Sequence, residues 1–121
     1  MHNNNISIQD RSKLFAIRAI KAYTELNKRH FDDAGKVLAK QFFRASTSIG
    51  ANLAEGEFAQ SRADFISKYS IALKEASETR YWIEIMIQSG IISEKKFSSM
   101  IDEINRIIRI LISTIKKLKD K

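Results

Sequence analysis

Apolar residues recur along this chain at steps of three and four residues, the spacing that places them on one face of an α-helix. Four such segments follow one another, at about residues 8–30, 34–55 and 61–89 and from residue 93 towards the C-terminus. The pattern therefore predicts an all-α protein with four long helices.

Capping residues and glycines mark the ends of these segments. Residues suited to an N-cap precede or open each helix: Ser7 or Asp10, Asp32 or Asp33, Ser61, and Ser93. Gly56 is predicted to end the second helix in the left-handed conformation, and Gly90 to end the third. Because the connections are only a few residues long, consecutive helices are expected to be antiparallel, in an up-down-up-down four-helix bundle.

The second helix is rich in small residues and contains a glycine. Gly50 inside a helix costs about 1 kcal/mol relative to alanine. We therefore expect it to mark a close approach of another helix.

The fourth helix has an unusually wide apolar arc. A heptad seam comprises Phe97, Ile101, Ile104, Ile108, Leu111, Ile115 and Leu118. Ile107 and Ile110 extend this seam to nearly half of the helix circumference, whereas a helix packed on one side of a small bundle needs only about 100°. We therefore expect Ile107 and Ile110 to lie at an interface with another subunit.

Composition narrows the class of protein. The chain has 121 residues, which suits a single domain spanning 1–121, with residues 1–7 expected to be flexible. It contains no cysteine, which excludes disulfide scaffolds, thiolate metal sites and cysteine nucleophiles. It also contains no proline, which excludes proline-rich linkers. The N-terminus resembles neither a signal peptide nor a lipidation motif, so we expect a cytoplasmic location.

The sequence offers little catalytic chemistry. Its two histidines, His2 and His30, do not stand in a metal-binding motif, and three carboxylates (Glu55, Glu75 and Glu78) are a weak metal signal without imidazole. Neither a phosphate-binding glycine loop nor a nucleophile elbow is present. We expect a protein that is not an enzyme and that takes neither a cofactor nor a metal.

Two lines of polar residues are predicted to meet between the second and third helices. The first comprises Gln41, Arg44, Ser48, Asn52 and Glu55, and the second Glu75, Glu78 and Trp82. At a buried seam Arg44 can pair with Glu75 or Glu78, while Ser48 and Asn52 satisfy the remaining donors and acceptors. We interpret this cluster as structural, with a ligand site as the alternative.

Positive charge is concentrated at the two ends of the chain. The formal net charge is +7, and residues 1–44, 45–92 and 93–121 carry +5, −2 and +4. This distribution favours an anionic partner that meets the first and last helices. Candidate phosphate contacts are Arg11, Arg18, Lys21, Lys28, Arg29, Arg106, Arg109, Lys116 and Lys117, for each of which a solvated charged face is the alternative.

Residues 41–56 resemble the signature of the four-helix-bundle family named for proteins encoded in 23S rRNA intervening sequences. The matching positions are Arg44, Ala45, Ser48, Ile49, Asn52, Ala54, Glu55 and Gly56. Residues 72–82 resemble the third-helix pattern of the family, with Glu78 at its acidic position. The chain departs from the family by lacking a proline between the first two helices.

The resemblance implies a bacterial bundle that assembles into a homopentameric ring, and it supplies no catalytic residues. Relatives act as basic accessory subunits of the reverse transcriptases in diversity-generating retroelements. The leading hypothesis is therefore a non-enzymatic oligomer that contacts the backbone of RNA or DNA, alone or in a ribonucleoprotein. The alternative is a scaffold or accessory subunit that docks a protein partner such as a reverse transcriptase.

A membrane partner is disfavoured. The fourth helix is basic and amphipathic, as membrane-surface helices are, but it has no interfacial tryptophan. Trp82, the one tryptophan of the chain, belongs to the third helix.

Overall fold

The computed structural model describes residues 6–29 and 32–120. These residues form four α-helices and no strand: α1 (Ile8–Asn27), α2 (Asp33–Gly56), α3 (Arg62–Gln88) and α4 (Glu94–Lys119). The predicted all-α bundle of four helices is confirmed, with bounds that differ from the prediction by a few residues. His2, His30 and Phe31 lie outside the described residues.

Each helix begins at a side-chain cap. The oxygen of the N-cap residue accepts a hydrogen bond from the backbone N–H three positions on, at distances of 2.9–3.3 Å. The four caps are Ser7, Asp32, Ser61 and Ser93, so Asp10 and Asp33 lie inside the first turns. These bonds satisfy N–H groups that the first turn of a helix leaves without a partner.

The two glycines that were predicted to end helices, Gly56 and Gly90, differ in backbone conformation. Gly90 has φ +82°, and the N–H groups of Ile91 and Ile92 donate to the carbonyl of Met86, as in a left-handed helix end. The same prediction for Gly56 is wrong, because Gly56 is the last helical residue of α2 and is buried. A Cβ there would lie 3.4 Å from Cε1 of Tyr69, in ordinary van der Waals contact, so Gly56 packs against α3 at a distance that an alanine would also fit.

The apolar faces of all four helices meet in one core. α1 packs against α2 and α4, and α3 packs against the same two helices. The largest side chains with less than 2% exposure come from every helix: Phe15, Phe42, Ile49, Leu53, Ile83, Met86, Ile104, Ile107 and Leu111. None of the described helices has an apolar stretch long enough to cross a membrane.

α1 and α2 approach closely where the sequence predicts it. A Cβ at Gly50 would lie 3.6 Å from the backbone carbonyl of Ser12, which is an ordinary van der Waals contact. Farther along, the rings of Tyr23 and Phe43 stack at 4.5 Å between centroids. The close approach is therefore present, although an alanine at position 50 would also fit.

The wide apolar arc of α4 is largely buried within this one chain. Ile107 is completely buried, so the prediction that it faces another subunit is wrong. The physical reason is that α4 lies between α1 and α3, and the two neighbours together cover more of its circumference than one would. Ile110 is half-buried, and Ile112 is the large apolar side chain of α4 with the greatest exposure, at 51%.

Candidate nucleic-acid interface

The predicted basic residues of α1 fall into two groups. Lys21, Lys28 and Arg29 are exposed, although Lys28 forms an ion pair with Glu25 at 3.0 Å. Arg18 is half-buried, and its Nη2 donates to the Ser99 hydroxyl of α4 at 2.7 Å. These four cations lie at the surface of the second half of α1.

Arg11 does not belong to this basic surface. It is only 4% exposed, and its Nη1 donates to both carboxylate oxygens of Glu103 on α4, at 3.1 and 2.9 Å. The flank of α1 that carries Arg11 faces α4, so the guanidinium is directed into the seam between the two helices. The prediction that Arg11 contacts phosphate is therefore corrected to a structural ion pair.

The four candidate cations of α4 are all exposed: Arg106, Arg109, Lys116 and Lys117. Lys116 and Lys117 lie in the last turn, where the helix dipole favours positive charge. Because α1 and α4 contact each other, the cations of both helices lie on adjacent elements of the bundle.

An open groove of about 520 Å³ separates the end of α1 from the start of α4. Apolar side chains line its floor, namely Ala22, Leu26, Ile92, Phe97 and Met100. Cations surround it, namely Arg18, Lys21, Lys28, Arg29 and Lys96, with Glu25 as the acidic member. Sequence reasoning missed this groove because its two sides are about 70 residues apart in the chain, and periodicity within one helix does not report which helix lies beside it.

The cluster between α2 and α3 is an exposed network. Arg44 donates to Glu75 at 3.3 and 3.4 Å and to Glu78 at 2.6 Å, and its side chain is 49% exposed. The hydrogen bond to Glu75 is the largest influence and raises the pKa of the Arg44 guanidinium. Partial burial opposes this increase, and the charge of Glu75 and the bond to Glu78 add to it. Arg44 thus has both expected partners, but it does not form a buried seam.

The other polar residues of that line bond elsewhere. The Ser48 hydroxyl donates to the carbonyl of Arg44, and the Asn52 amide donates to the carbonyl of Ser48, both within α2. Glu55 pairs with Lys68 at 3.1 Å. Ser48 and Asn52 therefore do not satisfy the carboxylates of α3, contrary to the prediction from the sequence. In the part of the chain that the structure describes, no group of three His, Cys, Asp or Glu residues is placed to hold a metal ion.

Comparison with known proteins gives a consistent result. The 23S rRNA-intervening sequence protein family matches residues 4–113. A similar crystal structure is that of a protein of unknown function from the S23 ribosomal protein family of Bacteroides thetaiotaomicron. It is 44% identical, covers 91% of this chain and 99% of its own, and superposes with a TM-score of 0.83. No curated protein matches this chain. Because the family matches nearly the whole length of the chain, the chain belongs to the family of 23S rRNA-intervening sequence proteins.

Proposed function

We propose that this protein is a non-enzymatic, basic oligomer that associates with RNA or a ribonucleoprotein in the cytoplasm through electrostatic contacts with phosphates. The observation that carries the proposal is the placement of exposed cations on the adjacent helices α1 and α4. Lysine and arginine side chains that neutralise phosphates release counterions, and this term supplies most of non-specific binding to nucleic acids. The family name, which refers to 23S rRNA, agrees with an RNA partner.

The contacts position the protein on a backbone and do not read bases. The candidates are Arg18, Lys21, Lys28, Arg29, Arg106, Arg109, Lys116 and Lys117, and all but Arg18 are exposed. Since phosphate contacts carry no sequence information, binding is expected to be similar for unrelated sequences.

We also propose that the helices alternate in direction and that five copies assemble into a ring, as the family resemblance implies. Contacts between α2 and α3 support the alternation, because Arg44 meets Glu75 whereas Glu55, farther along α2, meets the earlier Lys68. Contacts between α1 and α4 follow the same order. Five copies would carry a formal charge of about +35, a field that attracts polyanions.

Charge reversal on α4 tests the RNA proposal. The variant Arg106→Glu with Arg109→Glu removes two exposed cations and adds two anions, so we expect it to weaken binding of a fluorescently labelled structured RNA by at least tenfold at low salt. Fluorescence anisotropy with two RNAs of unrelated sequence measures the loss, which should be equal for both.

The matched control changes the net charge by the same amount at positions on other helices. Lys40→Glu with Lys74→Glu reverses exposed cations on α2 and α3, and this control should keep most of the affinity. Equal weakening in both variants would mean that net charge alone, and not a surface on α4, determines the affinity for RNA. If the parent protein binds no RNA even at low salt, the RNA proposal fails and the docking of a protein partner takes its place.

A further inference from the structure

One large apolar side chain stands apart from the fold. Phe58, in the turn between α2 and α3, is 84% exposed, the highest value among the large apolar residues that the structure describes. The turn itself is ordered by backbone hydrogen bonds from Glu57, Phe58 and Ala59 to the carbonyls three residues earlier, at 3.1–3.2 Å. A fixed turn thus presents an aromatic ring to solvent, a residue type enriched at the energetic centres of protein interfaces.

The groove between α1 and α4 has the complementary character. Its floor is apolar, and Leu26, Ile92 and Met100 there are 4–6% exposed. Its rim is basic, with Lys21 and Lys96 exposed beside Arg18. An occupant should therefore combine an apolar group with negative charge.

The turn that carries Phe58 has that combination. Glu57 is exposed directly beside Phe58. Of the other charged groups nearby, Glu55 is paired with Lys68, Asp64 accepts from the backbone N–H of Gln60, and Arg62 follows on α3. Asp10 and Lys13 of α1 line one depression together with Glu57. Glu57 is thus the carboxylate next to the ring that can meet a basic rim.

Phe58 cannot reach the groove of its own chain. Glu57 lies beside Gln9 and Asp10 at the start of α1, since the three residues line one small depression. The groove flanks the second half of α1, from Arg18 to Arg29. At 1.5 Å per residue, the start of α1 and the middle of the groove are roughly 20 Å apart. A Phe58 ring that occupies this groove must therefore belong to another copy of the chain.

We propose that Phe58 of one copy inserts into the α1–α4 groove of a second copy, with Glu57 of the first copy facing the basic rim of the second. The proposal specifies a contact of the assembly proposed above and rests on that assembly. The contact joins two different surfaces, so repeated contacts close into a ring or extend as a filament. It also covers Lys21 and Lys96, which leaves Arg106, Arg109, Lys116 and Lys117 of α4 as the principal RNA contacts.

Cross-linking tests the contact directly, because the chain has no cysteine of its own. Ala59→Cys places a thiol beside Phe58 without removing Phe58 or Glu57, and Lys96→Cys places one at the rim of the groove. With a short bis-maleimide, a mixture of the two variants should give a covalent dimer that neither variant forms alone. Dimers of either variant alone at the same yield, or no dimer in the mixture, would overturn the proposal.

The aromatic anchor is tested by self-association. Phe58→Ala should raise the dissociation constant of the assembly at least tenfold in analytical ultracentrifugation, because a central aromatic anchor commonly contributes that much. The melting temperature of Phe58→Ala should equal that of the parent protein when both are measured at a concentration where they are monomeric. Ile112→Ala, which shortens an apolar side chain of 51% exposure on α4, is the matched control and should keep the parent constant.

A second readout separates this contact from the RNA proposal. Monomeric Phe58→Ala keeps the cations of α4 and should still bind RNA at low salt, though more weakly. If the parent assembles and cross-links as expected but binds no RNA, the contact stands and the RNA proposal fails. If Phe58→Ala assembles with the parent constant, or if the parent is monomeric at every concentration, the contact is wrong whatever the RNA result.

Discussion

Arg11 and Arg44 both pair with carboxylates of a neighbouring helix, but in different surroundings. Arg11 is 4% exposed and directs two hydrogen bonds to Glu103, whose side chain is 21% exposed. Arg44 is 49% exposed and divides its bonds between Glu75 and Glu78, whose side chains are 14% and 37% exposed, so the contrast with Arg11 lies in the burial of the arginine. A buried charge that loses its partner is expensive, whereas an exposed one is hydrated by water. The two pairs therefore differ in energy more than their similar geometry suggests.

The helices that these pairs connect also differ in packing. α2 and α3 share the most extensive contact in the bundle, and the buried alanines Ala45, Ala72 and Ala76 allow their backbones to approach closely. α1 and α4 share the smallest contact and leave the open groove between them. The seam between α1 and α4 therefore depends on a few contacts, among which the Arg11–Glu103 pair and the core residue Ile107 are the most vulnerable.

The largest effect is expected at Ile107. Ile107→Asp places a carboxylate at a completely buried position, which should cost more than about 4 kcal/mol and abolish most of the cooperative folding. Ile110→Asp, at a half-buried position one turn away, should keep the helical circular-dichroism spectrum and a cooperative melt. Equal effects of the two substitutions would contradict the burial difference along this seam.

Arg11 should give the next largest effect. Arg11→Ala leaves Glu103 without its partner, and we expect a loss of about 3 kcal/mol, near the lower limit for a buried pair because Glu103 keeps some solvent contact. Thermal melts at fixed protein concentration should show a melting temperature lower by roughly 10 °C. Replacing both partners, as Arg11→Met with Glu103→Leu, should recover much of that loss. A melting temperature of Arg11→Ala within 2 °C of the parent would show that the pair is not structural.

Arg44 should give a smaller effect. Arg44→Ala removes a guanidinium that is 49% exposed, and water can then hydrate Glu78 and the less exposed Glu75, so the free energy of unfolding should fall by about 1 kcal/mol, less than for Arg11→Ala. The same melts measure it beside Arg11→Ala. A loss as large as that of Arg11→Ala would mean that another subunit covers Arg44, and the comparison between the two seams would no longer hold.

The smallest effect concerns Tyr69, whose hydroxyl accepts a hydrogen bond from the Gln9 amide at 2.6 Å. Burial raises the pKa of Tyr69, the bond from Gln9 lowers it, and Glu57 raises it further, with a net increase. The unfolded chain ionises first when pH rises above about 10, so the folded state loses stability there. Urea titrations at about pH 9 and pH 11 should show a smaller alkaline loss for Tyr69→Phe than for the parent. An identical loss would contradict the raised pKa.

Sequence periodicity predicted the number of helices and the apolar seam of α4, because burial of one face imposes the helical spacing. It also predicted that Arg44 meets Glu75 or Glu78, because short connections favour antiparallel neighbours, and the structure has both pairs. The predictions that Arg11 contacts phosphate and that Ile107 faces another subunit were wrong. The angle of a residue around its own helix does not reveal which helix covers each flank, and in α1 and α4 those flanks face each other.

The groove and the exposure of Arg44 were beyond sequence reasoning for related causes. A groove is the space left between two helices that are distant in the chain, so neither segment alone carries a signal for it. The length of the Arg44 side chain places its guanidinium at the surface even though its neighbour Ala45 is completely buried.

The salt dependence of RNA binding tests most directly the central claim that exposed cations bind phosphates. For the parent protein, the logarithm of the association constant should fall linearly with the logarithm of salt concentration, by about 0.7–0.9 per phosphate contacted. For Arg106→Glu with Arg109→Glu, the slope should be smaller by roughly two contacts. A parent slope near zero, or an unchanged slope and affinity in the variant, would contradict the account.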